Sequence, residues 1–301
     1  MKTQAQKIFV NSLPKSGTHL LAKAVELFGY REHFDPEKLD DPERITPLFF
    51  NYREVQNAIA AYEASKQPGG ATAENTAETD AIYVGTVTPV YATADHFRHW
   101  FSAMDAGRYV LGHVGYSPAL SQMLAESGVR HLFIIRDPRA VVASLLSFIL
   151  DTRGMPRPHF LQADFEVMTP KQRLDLLLEG GYAPKAAVDV VPFAEVYRTM
   201  VGWQADPSCL VVRFEELVGP QGGGTVEQQL AVGAQISAHL GVSFSEPIAA
   251  RFGEIYSPKS RTFREGRIDG WQDELDAEAV ARVQQYCQPL LQSAKPLIER
   301  S

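Results

Sequence analysis

The chain has 301 residues, 45% of them hydrophobic and 22% charged, which is enough apolar material for a sizeable core and the make-up of an ordinary soluble globular protein. A formal net charge of −7 argues against general attraction to nucleic acid or to an anionic membrane surface, so any anion site has to be local. Two cysteines, Cys209 and Cys287, give no disulfide framework or Cys/His cluster, no run nears the roughly 18 apolar residues of a membrane span, and MKTQAQKIFV lacks an apolar leader core; a cytoplasmic setting is the expectation.

In chain order, IFVNSL (8–13) reads as a strand and THLLAKAVELF (18–28) as a helix, with PKSGT between them. A strand, a tight loop and a helix start aim backbone N–H groups at an anion. Gly17 permits close backbone approach, Lys15 offers a charge, and Ser16 and Thr18 offer hydroxyls. The loop is not a Walker A sequence, because Lys15 precedes the only glycine. Residues 65–80, SKQPGGATAENTAETD, have loop composition and read as a surface insertion or a lid. DHFRHW reads as helix, with His96 and His99 on one face but without further zinc-like ligands.

YVLGHV (109–114) is the next strand, ending near His113, and PALSQMLAE the helix after it. HLFIIR (131–136) ends in Arg136, followed by Asp137 as helix cap, Pro138 at the first helical position and RAVVASLLSFIL as helix. Arg136 therefore stands at the carboxyl end of a strand, where open α/β sheets bind ligands, and Ser144 lies about two turns into the helix. Arg136 paired with Asp137 or Asp151 is the competing reading. QRLDLLLEG and FAEVYRTMVGW read as helices, CLVVRF (209–214) as a strand, VGPQGGGTVEQQ (218–229) as a connection, and VEQQLAVGAQISAHLG and AEAVARVQQYCQPLLQ as helices. Between the last two, FREGRIDGW (263–271) is a loop in which Arg264, Arg267 and Gly266 can form a basic nest. Strands apolar on both faces, alternating with helices, predict an α/β fold with a central parallel sheet flanked by helices.

PKSGT before a helix, R-x-P-x-x-x-x-x-S at 136–144, a strand running into F-E-E-L and F-R-x-G-x-x-x-G-W near the C-terminus, in that order, resemble the sulfotransferases that use 3′-phosphoadenosine 5′-phosphosulfate (PAPS). The resemblance spans residues 8–271 and implies one P-loop-like domain over 1–301, with substrate-facing insertions around 30–108 and 150–192. It implies that Lys15, Ser16, Gly17 and Thr18 cradle the 5′-phosphosulfate, that Arg136 and Ser144 hold the 3′-phosphate, and that Arg264 and Gly266 close over it. Phe214 matches a position near the adenine. His113 matches the general base, and Lys15 becomes the main cation at the transferring group because the family's lysine two residues before the histidine is Leu111 here. Leu20 stands where an aromatic often stacks on the base.

The implied reaction is transfer of a sulfuryl group from PAPS to a hydroxyl or amine of a small-molecule acceptor, in line, with no metal required and no nucleic acid or membrane partner. Two alternatives stand beside it: a small-molecule kinase of P-loop type, against which the missing Walker A loop counts, and a non-catalytic nucleotide-binding protein on the same scaffold, which Leu111 and Leu20 keep open. Acceptor and oligomeric state are not legible. Trp203 and Trp271 are expected in the core, where large aromatics bury for area.

Overall fold

The structure, a computed structural model, describes residues 6–34, 45–65, 81–151, 158–256 and 266–293. The strands are β1 (Ile8–Ser12), β2 (Arg31–Glu32), β3 (Phe49–Phe50), β4 (Ile82–Val84), β5 (Val90–Ala92), β6 (Arg108–Gly112), β7 (Arg130–Ile135), β8 (Gly181–Ala183), β9 (Val188–Val190) and β10 (Cys209–Arg213). The helices of the first half are α1 (Thr18–Leu27), α2 (Tyr52–Ser65), α3 (Ala94–Ser102), α4 (Pro118–Glu126), α5 (Pro138–Leu150), α6 (Gln162–Val167) and α7 (Pro170–Glu179). Those of the second half are α8 (Phe193–Val201), α9 (Phe214–Leu217), α10 (Val226–Leu240), α11 (Glu246–Arg251), α12 (Trp271–Glu274) and α13 (Ala277–Ser293). The 65–80 loop lies outside the described residues beyond Ser65.

The four strands expected from apolar runs are the four long neighbours of one parallel sheet, in the order β10-β7-β1-β6, and β2 and β3 pair in succession with the far side of β6. Every residue of β1 is buried, as a central parallel strand covered on both faces requires. Side chains alternate between two cores. Phe9, Val110 and Phe133 point into the larger, covered by α3, α4, α5, α7, α8 and α13; Ile8, Val10, Leu111 and Leu132 point into the smaller, covered by α1 and α10.

The pairs β4–β5 and β8–β9 are antiparallel hairpins at the side of this sheet, joined by the Val191 N–H donating to the Val87 carbonyl at 2.8 Å. A second contact ties the first hairpin to the sheet, where the Gly85 N–H donates to the His113 carbonyl at 2.9 Å. Trp203 and Trp271 are buried, as expected of large aromatics. Among the described residues no helix is long and apolar enough to cross a membrane.

Candidate functional site

The strand order lays the candidate residues in a row. Neighbouring strands lie about 4.8 Å apart, so the carboxyl ends of β10, β7, β1, β6 and β3 set Phe214, Arg136, the 13–18 loop, His113 and Phe50 side by side.

The loop turns tightly, with the Ser16 N–H donating to the Leu13 carbonyl at 3.2 Å and two residues left-handed, Lys15 at φ 69° and Gly17 at φ 102°. Gly17 is the N-cap of α1, which has no side-chain cap and no acid in its first turn, whereas Thr93, Ser117, Asp137, Thr169 and Thr225 cap their helices. The first N–H groups of α1 thus face a cradle that suits an anion. Ser16 is 1% exposed and its Oγ has no hydrogen-bond partner in the protein, a donor held ready at a cost unless a ligand fills it. Thr18 Oγ1 meets Ser12 Oγ at 2.5 Å, and Lys15 Nζ lies 4.5 Å from the centre of the Phe148 ring.

His113 is half-buried one strand away, held by its N–H donating to the Phe50 carbonyl at 2.8 Å. Its Nδ1 lies 2.9 Å from the Ser12 carbonyl, which can only accept, so Nδ1 carries the proton and Nε2 keeps its lone pair. Burial pushes its pKa down to about 4, the Ser12 hydrogen bond opposes this, and the nearby charges of His19 and Lys15 add to the fall. The imidazole is therefore neutral at pH 7. Asn11, fully buried, fastens the ends of β1 and β6: Nδ2 donates to the Val114 carbonyl at 2.8 Å, and Oδ1 accepts from the Val114 and Ser12 N–H groups at 2.9 and 3.0 Å. Trp203 Nε1 donates to the same Val114 carbonyl.

Arg136 does not pair with Asp137, whose carboxylate is held by Arg139 Nε and Nη2 while it caps α5 through the Arg139 N–H. The Arg136 guanidinium lies over the Phe214 ring at 4.3 Å, and donates from Nη1 to the Lys15 carbonyl at 3.0 Å and from Nη2 to the Arg267 carbonyl at 3.1 Å. Burial lowers its pKa, opposed by Glu215, Glu274 and Asp137, and a guanidinium stays charged throughout. Ser144 is buried on α5 four residues before Phe148, hence on the same helix face as the ring beneath Lys15.

Of the nest expected from Arg264, Arg267 and Gly266, Arg264 lies outside the described residues. Gly266 is left-handed at φ 58°, and Arg267 turns its guanidinium to Asp273 at 3.1 Å while lending Arg136 its carbonyl. The support for this late loop comes from the QGGG connection: the Ile268 N–H donates to the Gly222 carbonyl at 2.8 Å, and a Cβ on Gly222 would sit 2.6 Å from the Gly266 carbonyl.

Phe214 is only 4% exposed, wedged beneath Gly17 and Arg136. Leu111 is buried in the smaller core and Leu20 packs against it. His96 and His99 face α2 instead of the row: His96 Nδ1 accepts from the Thr93 N–H in the capping box of α3, and both rings lie 5.5 Å from Tyr62. Among the described residues no group of three or more His, Cys, Asp or Glu side chains is placed to hold a metal ion.

Sequence reasoning missed Asn11, Glu215, Gly222 and Phe148. For Asn11 the signal was present, a lone amide inside the apolar run IFVNSL. Glu215 lies in the F-E-E-L stretch, but nothing local there shows that its Oε1 accepts from the Asp137 N–H at 2.8 Å.

No known family model matches the sequence, and no curated protein matches it. Solved structures do match in shape. Mouse sulfotransferase SULT7A1 complexed with PAP aligns at TM-score 0.52 and 14% identity, over 96% of this chain and 85% of that one. The chain has the sulfotransferase fold. Retinol dehydratase in complex with androsterone and inactive cofactor PAP aligns at TM-score 0.51 and 17% identity, over 97% of this chain and 82% of that one. A second retinol dehydratase complex, with retinol and PAP, aligns at 0.50. With the sulfotransferase fold established, the row at the carboxyl ends of β10, β7, β1, β6 and β3 lies where open α/β sheets bind ligands.

Proposed function

We propose that the chain is a PAPS-dependent sulfotransferase acting on a hydroxyl or amine of a small molecule. The observation that carries this is the row itself: an uncapped helix start with a buried, unpartnered Ser16 hydroxyl, flanked on one side by a desolvated arginine and on the other by a neutral histidine. Two separated anion sites suit a nucleotide with phosphate at both ends, and the solved structures with this fold that bind PAP support that choice. The phosphosulfate nucleotide would supply, when bound, the sulfuryl group, with the bisphosphate nucleotide as the stable leaving group.

In this reading Lys15, Ser16, Gly17 and Thr18 hold the 5′ end, and Lys15 steadies charge that develops on the departing oxygen. Arg136, Ser144, Gly266 and Arg264 hold the 3′ end. His113 takes the acceptor proton at Nε2, since its Nδ1 proton is fixed on the Ser12 carbonyl. Phe214 acts from below, as the floor on which Gly17 and Arg136 rest. No carboxylate or metal is given a step.

The acceptor lies against aromatic side chains. Phe49 is 5.0 Å from the His113 ring, and Phe148, His159, Phe160 and Tyr52 follow one another at 5.9, 4.5 and 5.5 Å, starting from the ring beneath Lys15. These residues come from the 30–108 and 150–192 segments and from α5, and they suit an apolar or aromatic alcohol, phenol or amine.

The test is a thermal-shift titration with 3′-phosphoadenosine 5′-phosphate, followed by transfer assays from PAPS to a panel of alcohols, phenols and amines. Stabilisation by the nucleotide with transfer to at least one acceptor is expected. Absence of any shift sinks the reading. Tight nucleotide binding without transfer selects a non-catalytic nucleotide-binding protein, the second reading that the apolar, buried Leu111 favours.

A further inference from the structure

Arg136 makes contacts that a residue serving only the 3′ end of a nucleotide has no need of. Its planar fork is committed to two backbone carbonyls on different loops, Lys15 at 3.0 Å and Arg267 at 3.1 Å, while its face rests on Phe214 at 4.3 Å. Five N–H groups leave three for an anion after those two are committed. The first carbonyl belongs to the cation of the cradle. Lys15 has a Cβ and still sits at φ 69°, a conformation that persists in a non-glycine residue only when its surroundings over-determine it.

A hydrogen bond to the Lys15 carbonyl fixes the peptide plane that follows this strained residue. The Phe214 ring beneath Gly17 blocks the alternative of shifting the loop downward, because even a methyl group at Gly17 would come within 2.8 Å of it. The second carbonyl belongs to the loop that Gly222 supports through the Ile268 N–H. One guanidinium thus joins the 5′ cradle to the late loop.

We propose that Arg136 is a positioning residue for the 5′ end of the nucleotide: it holds Lys15 in its left-handed conformation. This rests on the nucleotide reading above and goes beyond the 3′-phosphate role that the sequence pattern implies for Arg136.

The experiment uses adenosine 5′-phosphosulfate, which has no 3′-phosphate for Arg136 to bind. Its affinity is measured by calorimetry on the full chain, on Arg136→Lys, on Lys15→Ala and on the double variant, beside PAP as reference, with melting curves to establish that each variant is folded. Arg136→Lys keeps the charge but cannot span both carbonyls. We expect it to weaken adenosine 5′-phosphosulfate about tenfold, the loss of one charge-assisted hydrogen bond, and to have almost no further effect once Lys15 is alanine. Unchanged affinity in Arg136→Lys overturns the proposal, and so does a full Arg136→Lys effect that persists without Lys15. If the unaltered chain binds neither nucleotide, the nucleotide reading falls separately and amide exchange decides: faster exchange over 13–18 in Arg136→Lys supports the latch, unchanged exchange refutes it.

Discussion

At the scale of single residues, His113 is set apart by its protonation state. Desolvation outweighs the Ser12 hydrogen bond and holds the ring neutral down to about pH 4, with Nε2 as the free base. If the chain has the proposed activity, the acid limb of kcat/KM due to this group is expected near pH 4, well below the 6.5 of an exposed histidine. A rate that falls with an apparent pKa near 6.5 would contradict the neutral-base assignment. His113→Ala is expected to lower kcat by roughly 10²–10⁴-fold and leave PAP affinity within about twofold, because in the proposed reaction Nε2 acts on the acceptor and not on the nucleotide. Lys15→Ala is expected to lower both. Sequence pattern pointed to Lys15, Arg136 and His113 as candidates, but could not show that the partner of Arg136 is a carbonyl of Lys15, since their contact crosses from β7 to the loop after β1.

At the scale of elements, the site depends on how β1, β6 and β7 end. Gly17 is required twice, by φ 102° and by the ring of Phe214 within 2.8 Å of any added Cβ. Gly17→Ala is expected to cost about 1–3 kcal/mol of stability and to abolish the nucleotide-induced thermal shift, a result checked by melting with and without PAP. Asn11 joins β1 to the segment after β6 by two hydrogen bonds to Val114 and accepts a third from the Ser12 N–H of its own strand, in a fully buried setting. Asn11→Ala leaves the Val114 and Ser12 groups without those partners. We expect a loss of about 2–4 kcal/mol in urea unfolding, with kcat falling more than PAP affinity, since His113 adjoins Val114 while the cradle is closed by its own Ser16–Leu13 turn. Equal loss of both would mean that Asn11 supports the whole row and not the His113 side. Helix positions were legible because α1, α4, α5, α7, α8, α10 and α13 carry long apolar periodicities and, in several cases, Pro or Thr starts. The two-residue strands β2 and β3 were not, for so short a stretch has no period to read and forms only because β6 offers an open edge.

For the whole molecule, burial holds four histidines below their ordinary value, His239 among them, and three of the shifts are large. Burial lowers His113 to about 4 and His159 to about 4, and it lowers His131 to about 3 in spite of Asp206. His131 is 1% exposed, stacked on Phe9 at 4.9 Å and edged by Trp203 at 4.2 Å, with neither ring nitrogen hydrogen-bonded. The unfolded chain takes up these protons first, near pH 6.5, and the folded chain only near pH 3–4. Stability from this source is thus complete above about pH 6.5 and declines as pH falls, by up to about 1.4 kcal/mol per pH unit for each histidine. His131→Leu is expected to flatten the fall between pH 6 and pH 4 by about one such increment, measured from urea midpoints; identical slopes would refute the buried-neutral assignment.

The sequence by itself determined the α/β class, the four long strands and the major helices, because apolar periodicity and capping are local signals that a chain carries along its length. Only the tertiary structure decided that β7, β1 and β6 lie side by side, so that Arg136, Lys15 and His113 meet although 121 residues separate the first two along the chain. It also decided which groups are charged and which atoms are left without partners, and that the QGGG connection carries the late loop. The physical reason is the same in each case: strand pairing, desolvation and backbone hydrogen bonding between distant segments depend on which surfaces are brought together, and no stretch of sequence contains that by itself.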